Sequence, residues 1–136
     1  MDCILVAVDD SPEARNALDY ALEQFPDATI RVIHVPEFTS GSFDMDAEAT
    51  VTEQAEQQAA DVLEHARELA AERGRPIETE VVFGHPAKAT LAYADDNDIE
   101  QIVVGSRGQG GMKRILLGSV AETIMRRADC PVTVVR

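Results

Sequence analysis

Two short stretches of the sequence combine residue types that could hold an anionic ligand. The first, GSRGQGGMKRILLGS at 105–119, contains five glycines between an apolar run and a helical segment. Glycine has no Cβ, so backbone amides in such a loop can come close to a phosphate. The second stretch is Asp9-Asp10-Ser11, which directly follows another apolar run. A glycine cluster alone is also compatible with a plain turn, so the surrounding elements must decide its role.

The glycine-rich loop matches neither of the two common nucleotide fingerprints. GxxxxGK[ST] would need lysine where Gly111 stands, and GxGxxG would need glycine where Lys113 stands. The loop therefore predicts a phosphate contact only if its spacing fits another pattern.

Short apolar runs alternate along the chain with segments of helical periodicity. The runs are 3–8, 30–35, 77–83, 99–104 and 132–135, and the helical segments are 12–25, 47–74, 86–94 and 119–127. Ser11 and Pro12 are typical of a helix start, Pro26 stops the same helix, and Gly74 ends the long one. A polar loop is expected at 37–46. This alternation predicts one α/β domain over 1–136, with a doubly wound parallel sheet covered by helices on both faces.

Asp9 and Gly105 each follow a predicted buried strand, the first and the fourth. In a doubly wound sheet, ligands bind beyond the carboxyl ends of the strands, where the strand order reverses. If the two strands are neighbours, both stretches line one crevice.

The charge balance excludes some partners. With 25 acidic and 12 basic residues, the formal net charge is −13, which repels nucleic acids and anionic membranes. No run of about 18 apolar residues is present, and we expect a cytoplasmic protein. Glu64, Glu68 and Glu72 would lie on one helix face and repel one another unless salt screens them. This acidic, lysine-poor composition predicts a halophilic source, with an acidic mesophilic protein as the alternative.

The cysteines and histidines predict neither a disulfide framework nor a metal centre. Cys3 and Cys130 are few and distant in sequence, so we expect reduced thiols in the core. His34, His65 and His85 form no spaced pair that is typical of metal ligands.

The spacing Gly105-x2-Gly108-x9-Gly118-Ser119 resembles the ATP-binding motif GxxGx9G[ST] of the universal stress protein family. The resemblance continues through ILVAVDDS, VIHV, VVFGHP, IVVGSRG, GGMKRILLGSVAE and ADCPVTVV, in the family's order. It implies a Rossmann-like, adenine nucleotide α-hydrolase-like fold with five parallel strands in the order 3-2-1-4-5. It also implies ATP as ligand and assembly into dimers.

The same resemblance assigns a nucleotide site residue by residue. Ala7 and Val35 would line the adenine, and Asp9 would lie against the ribose or an accompanying Mg²⁺; its alternative role is to cap the first helix. Gly105 and Gly108 would let backbone amides approach the ribose and a phosphate, and the phosphates would also be held by Gly118, Ser119, Val120 and Ala121. Apart from the resemblance, the positive charges of Arg107, Lys113 and Arg114 could reach the phosphates. Ser119 could instead be only the helix N-cap, and Arg107, Lys113 and Arg114 only solvated charges. Asp10 replaces a glycine that many relatives carry, and Ala121 lacks the hydroxyl of some relatives; both could weaken binding.

We therefore expect a nucleotide-binding stress or regulatory protein without catalytic residues. One alternative is a slow Mg²⁺-dependent ATPase or phosphotransferase that uses Asp9. Another is a dimeric interaction module that needs no nucleotide. Val132, Thr133, Val134 and Val135 form an apolar strand that, at a sheet edge, would pair with a second copy of the chain. The sequence does not identify a regulatory protein partner.

Overall fold

The computed structural model describes residues 2–36, 45–107 and 117–136. Within these ranges the strands are β1 (Cys3–Ala7), β2 (Thr29–His34), β3 (Glu78–Val81), β4 (Gln101–Gly105) and β5 (Val132–Val135). The helices are α1 (Pro12–Gln24), α2 (Met45–Glu72), α3 (Pro86–Asp96) and α4 (Ser119–Arg127). Strand and helix alternate as the sequence predicts.

The five strands form one parallel sheet in the order β3-β2-β1-β4-β5. The predicted fold class and strand order are therefore confirmed. Val6 on β1 pairs with Val32 on β2 and with Val103 on β4, so β1 and β4 are neighbours. β5 lies at one edge of the sheet, next to β4.

Two apolar clusters cover the two faces of the sheet. One joins the sheet to α1 and α2 and includes Val6, Leu18 and Val62. The other joins it to α3 and α4 and includes Leu5, Ala94 and Ile124. The strand order reverses at β1: β2 and β3 follow on one side of it, and β4 and β5 on the other. Because the crossovers are right-handed, this reversal puts α1 and α2 on one face of the sheet and α3 and α4 on the other.

The predicted signals set the ends of α1. The Ser11 hydroxyl accepts a hydrogen bond from the Ala14 amide at 3.1 Å, and Pro12 occupies the first helical position. The helix ends at Gln24, and its C-cap residue Phe25 directly precedes Pro26, which cannot donate the next helical bond. Gly74 follows α2 with a φ of +64°, a conformation that favours glycine.

Some predicted boundaries shift in the structure. β3 is shorter than the predicted 77–83, because at the sheet edge it pairs only with β2, from Glu78 to Val81. α2 begins at Met45, inside the expected loop 37–46, of which residues 37–44 lie outside the described ranges. β4 begins two residues later than predicted and extends to Gly105.

Both cysteines are free, as predicted. Each is half-buried rather than fully enclosed in the core. Burial raises the pKa of the Cys3 and Cys130 thiols, so both remain protonated near neutral pH.

The outer face of α2 is acidic, with Glu64, Glu68 and Glu72 all exposed. Arg67 offsets one of these charges by pairing with Glu64 at 3.1 Å. Salt adaptation stays a prediction. In the described parts of the chain, every helix is too short or too polar to cross a membrane.

Gly105, the last residue of β4, lies directly against the first turn of α1. A Cβ placed on Gly105 would come within 2.7 Å of the Glu13 carbonyl carbon and 2.9 Å of the Ala14 nitrogen. Both are backbone atoms, so neither can rotate away. The absence of a side chain at 105 therefore allows α1 and β4 to pack at this distance.

We expect Gly105→Ala to lower the free energy of unfolding by about 1–3 kcal/mol, the usual cost of overpacking. The added methyl must push α1 away from β4. Urea denaturation would measure the loss, and amide chemical shifts of Glu13 and Ala14 would report the displacement. An unchanged unfolding midpoint would contradict this account.

Candidate functional site

The carboxyl ends of β1 and β4 lie side by side, where the strand order reverses, and this is the place at which doubly wound sheets hold ligands in a crevice. The segment after β1 carries Asp9, Asp10 and Ser11, and the segment after β4 carries Ser106 and Arg107. The predicted convergence of the two stretches is thus present in the fold.

The amino end of α4 lies next to the end of β4. The Gly118 amide donates a hydrogen bond to the Ser106 carbonyl oxygen at 2.7 Å. Gly118 is the N-cap residue, with φ −62° and ψ 152°, and the Glu122 amide bonds its carbonyl oxygen at 2.9 Å. The interpretation of Ser119 as N-cap is therefore wrong, since Ser119 is the first helical residue, and it is exposed.

Glycine at the N-cap changes what the start of α4 can bind. A glycine has no side-chain oxygen with which to accept hydrogen bonds from the amides of the first turn. These amides, those of Ser119, Val120 and Ala121, lie at the positive end of the helix dipole. Such a terminus is suited to an anion.

At the end of β1, the carboxylate of Asp9 accepts a hydrogen bond from a nearby backbone amide. Its Oδ1 accepts a hydrogen bond from the Ser11 amide at 2.9 Å. Asp9 therefore holds the N-cap residue of α1, while Ser11 itself caps the helix. Asp10 is exposed, so its charge is largely solvated.

A buried histidine ties the ends of β1 and β2 together. Nδ1 of His34 lies 2.8 Å from the Val8 carbonyl oxygen. Because a carbonyl can only accept, Nδ1 carries the proton and donates. The Val8 amide in turn donates to the Ile33 carbonyl oxygen at 2.9 Å. No pattern in the sequence around His34 indicated this role.

Four of the predicted site residues belong to one apolar cluster. Ala7, Val35, Val120 and Ala121 all pack in the cluster between the sheet and α3 and α4. Val35 and Ala121 are buried, whereas Ala7 and Val120 are half-buried. The residues predicted to line a base and those predicted to follow the phosphate contact are thus on the same side of the sheet.

Arg107 is directed to the other side of the sheet. Its Nη2 lies 2.6 Å from Oε1 of Glu13 in the first turn of α1. The Arg107 carbonyl oxygen accepts a hydrogen bond from the Ser11 hydroxyl at 3.4 Å. Sequence reasoning missed Glu13. The side chain of Arg107 is 37% exposed and that of Glu13 only 13%.

The remaining loop residues singled out in the sequence, Gly108, Lys113 and Arg114, lie outside the described residues.

Comparison with known proteins identifies close similarity over the full chain. The profile of the Universal stress protein family matches residues 1–136. The chain is 34% identical over 144 aligned positions to universal stress protein YxiE of Bacillus subtilis, with 98% of this chain and 97% of the relative covered.

Solved structures show the same fold. Universal stress protein UspA from Lactobacillus plantarum superposes with a TM-score of 0.86 at 26% identity, covering 99% of this chain and 97% of that one. A universal stress protein in complex with cAMP superposes with a TM-score of 0.73 at 25% identity, covering 99% and 97%.

The environment of Glu13 predicts a pH dependence of stability. Its pKa lies below the ordinary value of 4.5, first because the carboxylate accepts from its own backbone amide and then because of Arg107, although burial opposes both. A carboxylate with a lowered folded-state pKa stabilises the fold above the unfolded-state value, and this contribution is lost as the pH falls through the folded-state value. Glu13→Gln should therefore destabilise the protein at about pH 7, and the difference from wild type should shrink below pH 4.5. Urea denaturation of both proteins across this range checks it; a difference that does not vary with pH would contradict it.

Proposed function

Because the chain belongs to the universal stress protein family, we propose that it binds ATP in the crevice between β1 and β4 and acts as a non-catalytic, regulatory dimer. The phosphates lie at the amino end of α4, and the adenine lies over the cluster that contains Ala7 and Val35.

The observation that carries this proposal is the glycine-capped start of α4 beside the end of β4. The amides of Ser119, Val120 and Ala121 supply hydrogen-bond donors that neither titrate nor need to move. The Ser119 hydroxyl adds a further donor on an exposed residue. The GxxGx9GS motif also assigns a phosphate contact to Gly108, which lies outside the described residues.

Binding of the adenine base is supported by the ligand of a relative and by the apolar surface that the base would cover. A universal stress protein at 25% identity was crystallised with cAMP, a ligand that shares its adenine and ribose with ATP. On this chain, the half-buried Ala7 and Val120 and the buried Val35 provide an apolar surface at the same end of the sheet. An aromatic base gains by covering such a surface.

The proposed role of Asp9 is to face the ribose, or a Mg²⁺ that accompanies the phosphates. Its Oδ1 already accepts from the Ser11 amide, so it is held in place by the start of α1. Phosphoryl transfer needs a group that orients the attacking water. It also needs a positively charged group that stabilises the negative charge of the transferred phosphoryl. A single anchored carboxylate does not supply both, and so we propose binding without turnover.

Two substitutions at Ser119, to proline and to alanine, should distinguish the contribution of its amide to ATP affinity from that of its hydroxyl. Proline is favoured at the first helical position, and the ψ of Gly118, 152°, is one that a residue before proline adopts. Ser119→Pro should therefore leave α4 intact while it removes both the amide donor and the hydroxyl. ATP affinity should fall at least about tenfold, because a hydrogen bond to a charged group contributes about 1.5–3 kcal/mol. Isothermal titration calorimetry measures this.

The matched control is Ser119→Ala, which removes the hydroxyl and keeps the amide. We expect it to lose less affinity than Ser119→Pro. Equal ATP affinity in Ser119→Pro and wild type would contradict phosphate binding at α4. Absence of binding by wild type would favour the nucleotide-independent module, and ADP formation that Asp9→Ala abolishes would favour the ATPase.

The proposed dimer forms through β5. Ile102 and Ser106 donate their amides to the carbonyl oxygens of Pro131, at 3.0 Å, and Val135, at 2.7 Å. Since backbone groups alternate in direction along a strand, those of Thr133 face β4 and those of Val132 and Val134 face outward. Such an edge can pair with a second copy about a two-fold axis.

Val134→Pro should give a folded monomer, because it removes an outward amide that β4 does not use. Sedimentation velocity would measure the change from dimer to monomer. Thr133→Pro is the comparison: it removes an amide that faces β4, so it should destabilise the fold by about 1–3 kcal/mol, the cost of a buried acceptor left without its donor. A dimer that survives Val134→Pro would contradict pairing through β5.

A further inference from the structure

Glu13 holds the guanidinium of Arg107 on the α1 side of the sheet. The two side chains meet at 2.6 Å, and Ser11, on the same helix terminus, bonds the Arg107 carbonyl oxygen. α4, whose amino end offers the amide donors, packs against the opposite face. Arg107 is thus close in sequence to the residues proposed to hold the phosphates, but its side chain is directed away from them.

The partner of Arg107 has the same chemistry as a phosphate oxygen. A carboxylate and a phosphate both present anionic oxygens to a guanidinium, and both can accept two parallel hydrogen bonds from it. The Arg107 side chain is 37% exposed, and its residue directly follows Ser106 at the crevice. A side chain this exposed can change its rotamer, which is the movement that an exchange of one anion for the other requires.

We propose that Glu13 is an internal competitor for Arg107: its carboxylate occupies the guanidinium in the nucleotide-free protein, and a phosphate of the bound nucleotide displaces it. This inference rests on the proposed ATP binding. It assigns to Glu13 a positioning role that sets affinity for the phosphates but not for the nucleoside.

Two physical terms determine the sign of the effect. When Arg107 moves to a phosphate, its ion pair with Glu13 is lost. Glu13, with a side chain only 13% exposed, then keeps its negative charge in a poorly solvated place. Both terms oppose binding, so removal of the Glu13 charge should tighten it.

The test compares ATP and adenosine by isothermal titration calorimetry on four proteins: wild type, Glu13→Gln, Arg107→Ala and the double variant. Glu13→Gln should bind ATP about three- to fivefold more tightly, the range of a partly exposed ion pair, with adenosine affinity unchanged. In the Arg107→Ala background, Glu13→Gln should give no gain. Glu64→Gln, which also removes a carboxylate paired with an arginine, is the matched control and should leave ATP affinity at the wild-type value.

A gain that persists without Arg107 would show that only the net charge matters, and it would overturn the proposal. So would unchanged or weaker ATP binding by Glu13→Gln. If wild type binds ATP normally in either case, the proposed function stands and only the competition fails. If neither the wild type nor any variant binds ATP, the proposed function and the proposed competition both fail.

A second measurement needs no substitution. NMR titration of the Glu13 carboxyl group in wild type, with and without ATP, should show its pKa rise towards the ordinary value as Arg107 leaves. An ATP-bound protein in which the pKa of Glu13 is unchanged or lower would overturn the exchange.

Discussion

The close approach of β4 to α1 at Gly105 is the constraint on which the geometry of the crevice depends. Because this position lacks a Cβ, the end of β4 lies against the backbone of Glu13 and Ala14. From there, Arg107 is within reach of Glu13, and the Ser106 carbonyl oxygen receives the Gly118 amide. One strand end thereby fixes the amino ends of two helices on opposite faces of the sheet. A bulkier residue at 105 would move both relative to each other.

From the sequence, Gly105 was expected to let backbone amides approach a phosphate, and this stays a prediction. In the structure, the atoms that lie against Gly105 are backbone atoms of α1. Local spacing placed Gly105 after a strand and before a helix. The contact with α1 follows from the pairing of β4 with β1, which is a property of the whole sheet. The start of α4 was predicted at Ser119 and confirmed, yet its N-cap was not. A glycine N-cap lacks the side-chain oxygen on which such predictions rely.

Glu13 shows where local reasoning ends. An acidic residue in the first turn of a helix is fully explained by the helix dipole, so nothing in its neighbourhood calls for a partner. Its actual partner is 94 positions away and becomes a neighbour only through the strand order. The same limit applies to β3, where the apolar Val82 and Phe83 extended the predicted strand. Ladder pairing with β2, which ends at Val81, sets its true length.

An anion site on a chain of net charge −13 requires a positive potential that the rest of the surface does not cancel. Within the described ranges, five arginines already pair with carboxylates: Arg31 with Glu78, Arg67 with Glu64, Arg73 with Asp19, Arg107 with Glu13 and Arg126 with Glu122. Beyond about 8 Å, salt at physiological strength screens the acidic surface. At hydrogen-bond distance, the field of a helix terminus dominates, and its amides can be neither titrated nor paired away by a mobile side chain. Recognition through backbone amides is therefore the form of anion binding best suited to so acidic a protein, and a glycine N-cap, which does not consume those amides, is the residue that makes it available.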